Sequence, residues 1–155
     1  MIRYQITQRV RRPAAAVYDF CVVHQPENHP KWEAEVMEVR REGPAVAGAR
    51  GVMVRKDFGK VAEVPLEWLE VVPGQRVRQR SVSPAIVFDI TEEFIPQGEE
   101  MDLRVSVEIT LHGFMRLMQP MMARVLRKTS ERICVDLVRV LEAELAAPAS
   151  MQKAG

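Results

Sequence analysis

Apolar and polar residues alternate with a period of two over most of this chain, and the period lengthens only near the C-terminus. Ile2, Tyr4 and Ile6 alternate with Arg3, Gln5 and Thr7, the pattern of a strand with one buried face. From Glu33 the same period returns in runs at 33–41, 49–57, 60–72, 75–82, 85–96 and 100–111. Between them stand turn formers: Gly43-Pro44 with Gly48, Gly59, Pro73-Gly74, Ser83-Pro84 and Pro96-Gln97-Gly98. Connections this short predict antiparallel neighbours, because a parallel crossover takes about a dozen residues or more. In the last run Met101, Leu103, Val105, Val107 and Ile109 alternate with Asp102, Arg104, Ser106, Glu108 and Thr110. One sheet face is therefore wet and the other is covered.

The cover is the segment from Met115 to Ala146. Met118, Met122, Val125, Ile133, Leu137 and Val140 fall on one helical face, with Arg124, Arg127, Lys128, Glu131, Arg139 and Glu142 opposite. Its 32 residues would span roughly 48 Å. Such a helix needs a broad apolar surface, which the strands supply. Pro120 predicts that the regular helix starts near Gln119 or kinks there. Near the N-terminus, Pro13 suits a first helical residue, and a helix is expected to run from it to about Val23. Pro26 and Pro30 then limit 24–32 to a loop or a single helical turn. The expectation is one domain over 1–146, followed by a flexible tail at 147–155.

The composition, 47% hydrophobic and 28% charged over 155 residues, is that of one globular domain with a real core. A net charge of +1 gives no mandate for nucleic acid or an anionic membrane. Cys21 and Cys134 are too few for a disulfide framework and suggest a reducing compartment. No apolar signal core opens the sequence and no run approaches membrane-spanning length, so a soluble, cytoplasmic protein without stable membrane insertion is expected.

Few residues suggest chemistry. On a regular strand, Glu92 shares a face with Ile86, Phe88, Ile90 and Phe94. Desolvation there would raise its pKa, as a general acid or base requires, unless a β-bulge turns it outward or it reaches water at the sheet rim. Met115, Met118, Met121 and Met122 could line an adaptable cavity mouth or fill core. Arg76, Arg78 and Arg80 fit the outer face better than the inner, where each would need an acidic partner. Asp136 reads as a salt-bridge partner of Arg132, one turn earlier. Trp32 and Trp68 suit core anchors better than binding aromatics. His24, His29 and His112 match no zinc spacing, and neither a metal nor a cofactor is expected. The stretch from Gly43 to Arg50 lacks the Lys-Ser/Thr of a phosphate loop and opens no helix. Helix arginines interleaved with acids argue against nucleic acid.

Pro13-Ala14-Ala15-Ala16-Val17-Tyr18-Asp19-Phe20, then Pro26-Glu27-Asn28-His29-Pro30-Lys31-Trp32, resemble the opening of polyketide cyclase/dehydrase-like members of the START-related SRPBCC (Bet v 1-like) superfamily. Leu66 to Gly74 is similar to the strand that ends in their Pro-containing turn, whereas Gly98-Glu99-Glu100-Met101 departs from their Gly-Gly-Thr-like turn. The resemblance implies an α+β helix-grip fold, a curved seven-stranded antiparallel sheet around a long C-terminal helix. It implies a cavity between them for a lipid, polyketide or aromatic compound, lined by Trp68, Phe88, Ile90, Met115, Met118, Met122 and Val125. In it, His29 is a structural residue of the turn. A carrier, a cyclase or dehydratase using Glu92, and a protein-interaction module using the same groove all stay open, as does a homodimer.

Overall fold

The computed structural model describes residues 1–148. Part of the expected tail, 149–155, lies outside the described residues. β1 (Ile2–Val10) leads into α1 (Ala14–Tyr18), a π-helical turn (Asp19–Val23) and α2 (Gln25–Trp32). A meander follows: β2 (Val36–Arg41), β3 (Arg50–Asp57), β4 (Lys60–Val72), β5 (Arg76–Val82), β6 (Ile86–Gln97) and β7 (Glu100–Leu111). A 3-10 turn (Gly113–Met118) then enters α3 (Gln119–Glu144). The seven strands form one sheet in the order β1-β7-β6-β5-β4-β3-β2, with every neighbouring pair antiparallel. The architecture is α+β, a helix-grip fold.

Two helical readings need correction. The expected helix from Pro13 to Val23 breaks at Tyr18 into the π-helical turn. Its carbonyls are taken by side chains: Arg41 donates to Val22 O (2.8 Å) and Val23 O (2.9 Å), and Asn28 donates to Phe20 O (3.0 Å). Those partners stabilise a wider turn that would otherwise leave acceptors unpaired. The segment expected to be a loop or single turn is an eight-residue helix, α2. Pro26 sits in its first turn, where an N–H would have no partner anyway, and Pro30 stands only in the last.

α3 begins at Gln119 and has 26 residues, roughly 39 Å of helix, so the first turns of the expected run are 3-10. Leu137 and Leu141 seal it onto a cluster with Val10, Trp68, Phe94, Met101 and Leu103. Cys134 joins a second cluster with Ile2, Tyr4, Ile6, Val107, Ile109 and Leu111. The Tyr4 hydroxyl ties α3 to β1, donating to Leu126 O (3.1 Å) and pairing with Ser130 Oγ (2.6 Å). Val125 is 51% exposed, outside the buried face, because Met122 and Leu126 take the sheet side of that turn. Arg132 crosses to Glu35 (2.7 Å), leaving Asp136 to Arg139 (2.8 Å), where an Arg132–Asp136 pair was expected.

The β3–β4 hairpin turns on Phe58 and Gly59, at φ 51° and 78°. A two-residue turn of this kind favours Asn-Gly, and a bulky residue at positive φ is strained. Phe58 recovers nothing by packing, since it is fully exposed. Phe58→Asn is therefore expected to raise stability by about 1 kcal/mol, read as a higher urea midpoint at unchanged slope. An unchanged or lower midpoint would show that the turn is unstrained.

Candidate functional site

β6 carries the centre of the concave face. Ile86, Phe88, Ile90, Glu92 and Phe94 pair with Leu111, Ile109, Val107, Val105 and Leu103 of β7 in an unbroken register. No bulge turns Glu92 outward, and it lies well inside the strand, away from the rim. Phe94, Leu103 and Val77 are almost completely sealed. Ile86, Phe88, Ile90, Glu92 and Val105 keep partial accessibility, although α3 passes over this face. Residues central in a sheet and yet reached by solvent show that the cover over this face is incomplete. Met115, Met122, Ala123 and Leu126 flank it from the helical side.

One end of the cleft is polar. Gln25, His29 and Glu33 recur every four residues along and just beyond α2, so they share a helical face. The His29 ring is engaged at both nitrogens, by Gln25 Nε2 at 3.1 Å from Nδ1 and by Glu33 Oε1 at 3.0 Å from Nε2. It also stacks on Trp32 at 4.6 Å between centroids. Arg55 Nη1 donates to the other Glu33 oxygen (3.2 Å), while its remaining nitrogens hold Asp57 at 2.7 and 3.1 Å. Gln25 and Gln79 exchange reciprocal amide hydrogen bonds of 3.3 and 3.1 Å, extending the chain to β5. Burial alone would push the Glu33 carboxyl up, but the bonds and charges of His29 and Arg55 outweigh it and hold the group below its ordinary range.

Glu92 is the opposite case. It makes no hydrogen bond or ion pair among the described residues, and burial pushes its carboxyl up, with only the His29 charge pulling the other way. Its charge is felt by thiols on two other elements. Burial, reinforced by Glu92, holds Cys21 well above the ordinary thiol range and pushes Cys134 to about 12. Glu92 thus lies within electrostatic reach of Cys21 on the π-helical turn, His29 on α2 and Cys134 on α3. Both cysteines are free and buried.

Of the residues expected at a cavity, Phe88, Ile90, Met115 and Met122 come together here. Met118 is half-buried where the 3-10 turn meets α3. Val125 lies on the exposed flank and Met121 beside it is 55% exposed. Trp68 is fully buried in the other cluster and offers no accessible surface. Its ring lies under the Arg41 guanidinium at 5.6 Å, and its buried indole N–H has no partner among the described residues. Arg76, Arg78 and Arg80 occupy the outer face: Arg76 pairs with Glu70, and Arg78 and Arg80 with Asp89 at 2.7 and 3.0 Å. Arg76 and Arg78, with Glu70, Asp89, Thr91, Ser106 and Glu108, line a shallow depression of about 300 Å³ in which the arginines and acids neutralise each other. Gln25, Glu33, Arg55 and Gln79 were not visible as a group in the sequence. The Gln-x3-His-x3-Glu spacing was the available signal, and the two prolines hid the helix that gives it meaning. Among the described residues, no group of three or more His, Cys, Asp or Glu side chains could hold a metal ion.

No protein-family model matches the sequence, and no curated protein matches it. Solved structures do match in shape. A START superfamily protein from Mycobacterium smegmatis superposes with a TM-score of 0.74 at 13% identity, over 94% of this chain and 100% of that one. The di-domain ARO/CYC protein BexL of the BE-7585A biosynthetic pathway gives 0.75 at 16% identity, over 92% of this chain and 47% of that one. Norcoclaurine synthase from Thalictrum flavum, in complex with dopamine and hydroxybenzaldehyde, gives 0.66 at 10% identity, over 93% and 88%. At these identities the likeness is one of fold, and it is the fold that the opening motifs implied.

Proposed function

We propose that this protein binds a small, mainly apolar molecule, such as a lipid, polyketide or aromatic compound, between the sheet and α3. The observation that carries the reading is the incomplete cover over Ile86, Phe88 and Ile90 in the middle of the concave face. Apolar area left reachable there is area that a ligand can remove from water, at about 25 cal/mol per Å². A purely apolar guest would leave Glu92 desolvated and unpaired, so the favoured ligand also carries one carbonyl or hydroxyl for that carboxyl. The two free cysteines fit a reducing, cytoplasmic setting. No helix among the described residues is long and apolar enough to cross a membrane.

An environment-sensitive neutral dye is expected to bind at micromolar concentration. Met122→Trp should abolish that binding without loss of fold, since the indole would occupy the cleft beneath α3. Dye binding that survives in a folded Met122→Trp protein would remove the cleft as the site.

A second reading has its own support. Glu92, without a hydrogen bond or ion pair among the described residues and with its pKa raised by burial, could act as the acid or base of a cyclase or dehydratase, beside the His29–Glu33 pair. The folded pKa of Glu92 lies above its unfolded value, so its contribution to stability is fullest below the unfolded pKa. That contribution is lost as pH rises toward the folded pKa. Glu92→Gln lacks this loss and should exceed the parent in stability by more at about pH 8 than at about pH 5. Urea unfolding at both values is the check. An equal difference at both would mean a solvated or tightly paired carboxylate and would end the enzymatic reading.

A further inference from the structure

We infer that the open end of the sheet, around the mouth of the cleft, docks on anionic membrane surfaces. The strand directions put the β3–β4 turn, the β5–β6 connection and the exit from β7 at one end of the antiparallel sheet. Backbone bonds hold these loops to their neighbours: His112 N–H donates to Ala85 O, and Lys56 N–H to Glu35 O, each at 2.8 Å.

This end exposes large apolar side chains from two remote parts of the sequence. Phe58 and Val61 project from the hairpin at 105% and 58% exposure. Phe114, Leu117, Met121 and Val125, spaced by three, four and four, run as one stripe along the 3-10 turn and the start of α3. Val125 lies seven residues before Arg132, hence on the same flank of α3, and Arg132 reaches over to Glu35 ahead of β2. The stripe therefore faces the hairpin side of the mouth. Phe58 adds a separate argument: it is fully exposed in a left-handed backbone position that suits Asn far better. Folding gains nothing from a phenyl ring there.

Charge selects the occupant. Lys56, Lys60, Arg116, Arg124 and Lys128 interleave with these apolar residues, and none makes an ion pair among the described residues. The nearby acids are already committed, Asp57 to Arg55 and Glu35 to Arg132. A second copy of this end would bring two sets of unpaired cations together and be repelled. An anionic bilayer meets both requirements, burying the apolar tips at the headgroup boundary and pairing the cations with lipid phosphates. The whole-chain charge of +1 conceals this local excess. The docking rests on the rim alone and stands whatever the cleft holds.

The test is co-sedimentation of the full chain with phosphatidylcholine vesicles, with and without phosphatidylserine, together with size-exclusion chromatography. Wild type should partition onto the phosphatidylserine-containing vesicles and release in high salt. Phe58→Asn combined with Leu117→Ser should weaken partition at least about tenfold while the fold is retained. Lys60→Gln with Arg124→Gln should weaken it roughly thirtyfold. Val135→Ser, an equally exposed apolar site elsewhere on α3, should change nothing. The proposal falls if wild type ignores anionic vesicles, binds neutral ones equally well, or loses as much through Val135→Ser. It also falls if wild type is a dimer that Leu117→Ser dissociates, since the rim would then be a self-interface.

Discussion

Glu33→Ala is expected to cost about 3–5 kcal/mol of folding stability at neutral pH, the range for removing one partner of a buried ion pair. Glu33 is 9% exposed and joins two groups that cannot easily find water instead. His29 Nε2 would lose its partner among the described residues, and Arg55 would keep Asp57 as its one acidic partner among them. The replacement by alanine also leaves space that the rigid stack of His29 on Trp32 cannot readily fill. The pH dependence has a definite sign. The folded pKa of Glu33 is lowered, so its contribution is present above the unfolded pKa and disappears as pH falls through the folded one. Urea unfolding should therefore show a gap between wild type and variant that is full at neutral pH and narrows in acid. A gap below about 1 kcal/mol, or one that widens in acid, would mean that the network does not hold α2 to the sheet.

Leu141→Ala should cost about 2–5 kcal/mol, and Arg139→Ala, two residues away, less than roughly 0.5 kcal/mol. Leu141 is fully buried in the cluster that includes Trp68 and Phe94, and its removal opens a cavity where α3 closes the core. Arg139 points outward and, among the described residues, pairs with Asp136 on its own helix. Denaturant midpoints of the two variants measure the contrast. Similar losses at both positions would mean that α3 is seated on a different face.

These two sites also show what could be seen in advance. The strands were legible because each has one wet and one covered face, a period that survives any detail of packing. The start of α3 at Gln119 was legible because a proline tolerates only the first helical turn. Its face was legible in the second half, at Leu137, and misleading in the first. There Met122 and Leu126 take the sheet side, so Val125 can belong to the apolar repeat and still be exposed. Glu92 was legible because a single carboxylate interrupts an apolar row and the β6–β7 register has no bulge to turn it aside. The His29 network was not. Its partners come from α2, β3 and β5, and only the fold brings Arg55 and Gln79 to the helix. Trp68 was read in two ways. Its residue type favoured a core anchor over a binding aromatic, the family resemblance set it at the cavity, and it is wholly buried in the core.

The central claim is that the cleft beneath α3 holds a small apolar molecule. Native mass spectrometry of freshly purified wild type, beside Met122→Trp prepared in the same way, tests it most directly. The account predicts a one-to-one adduct on wild type, from a co-purified or added apolar compound, and none on the folded variant. An adduct of equal abundance on both proteins, or none on wild type even with ligand added, would contradict it.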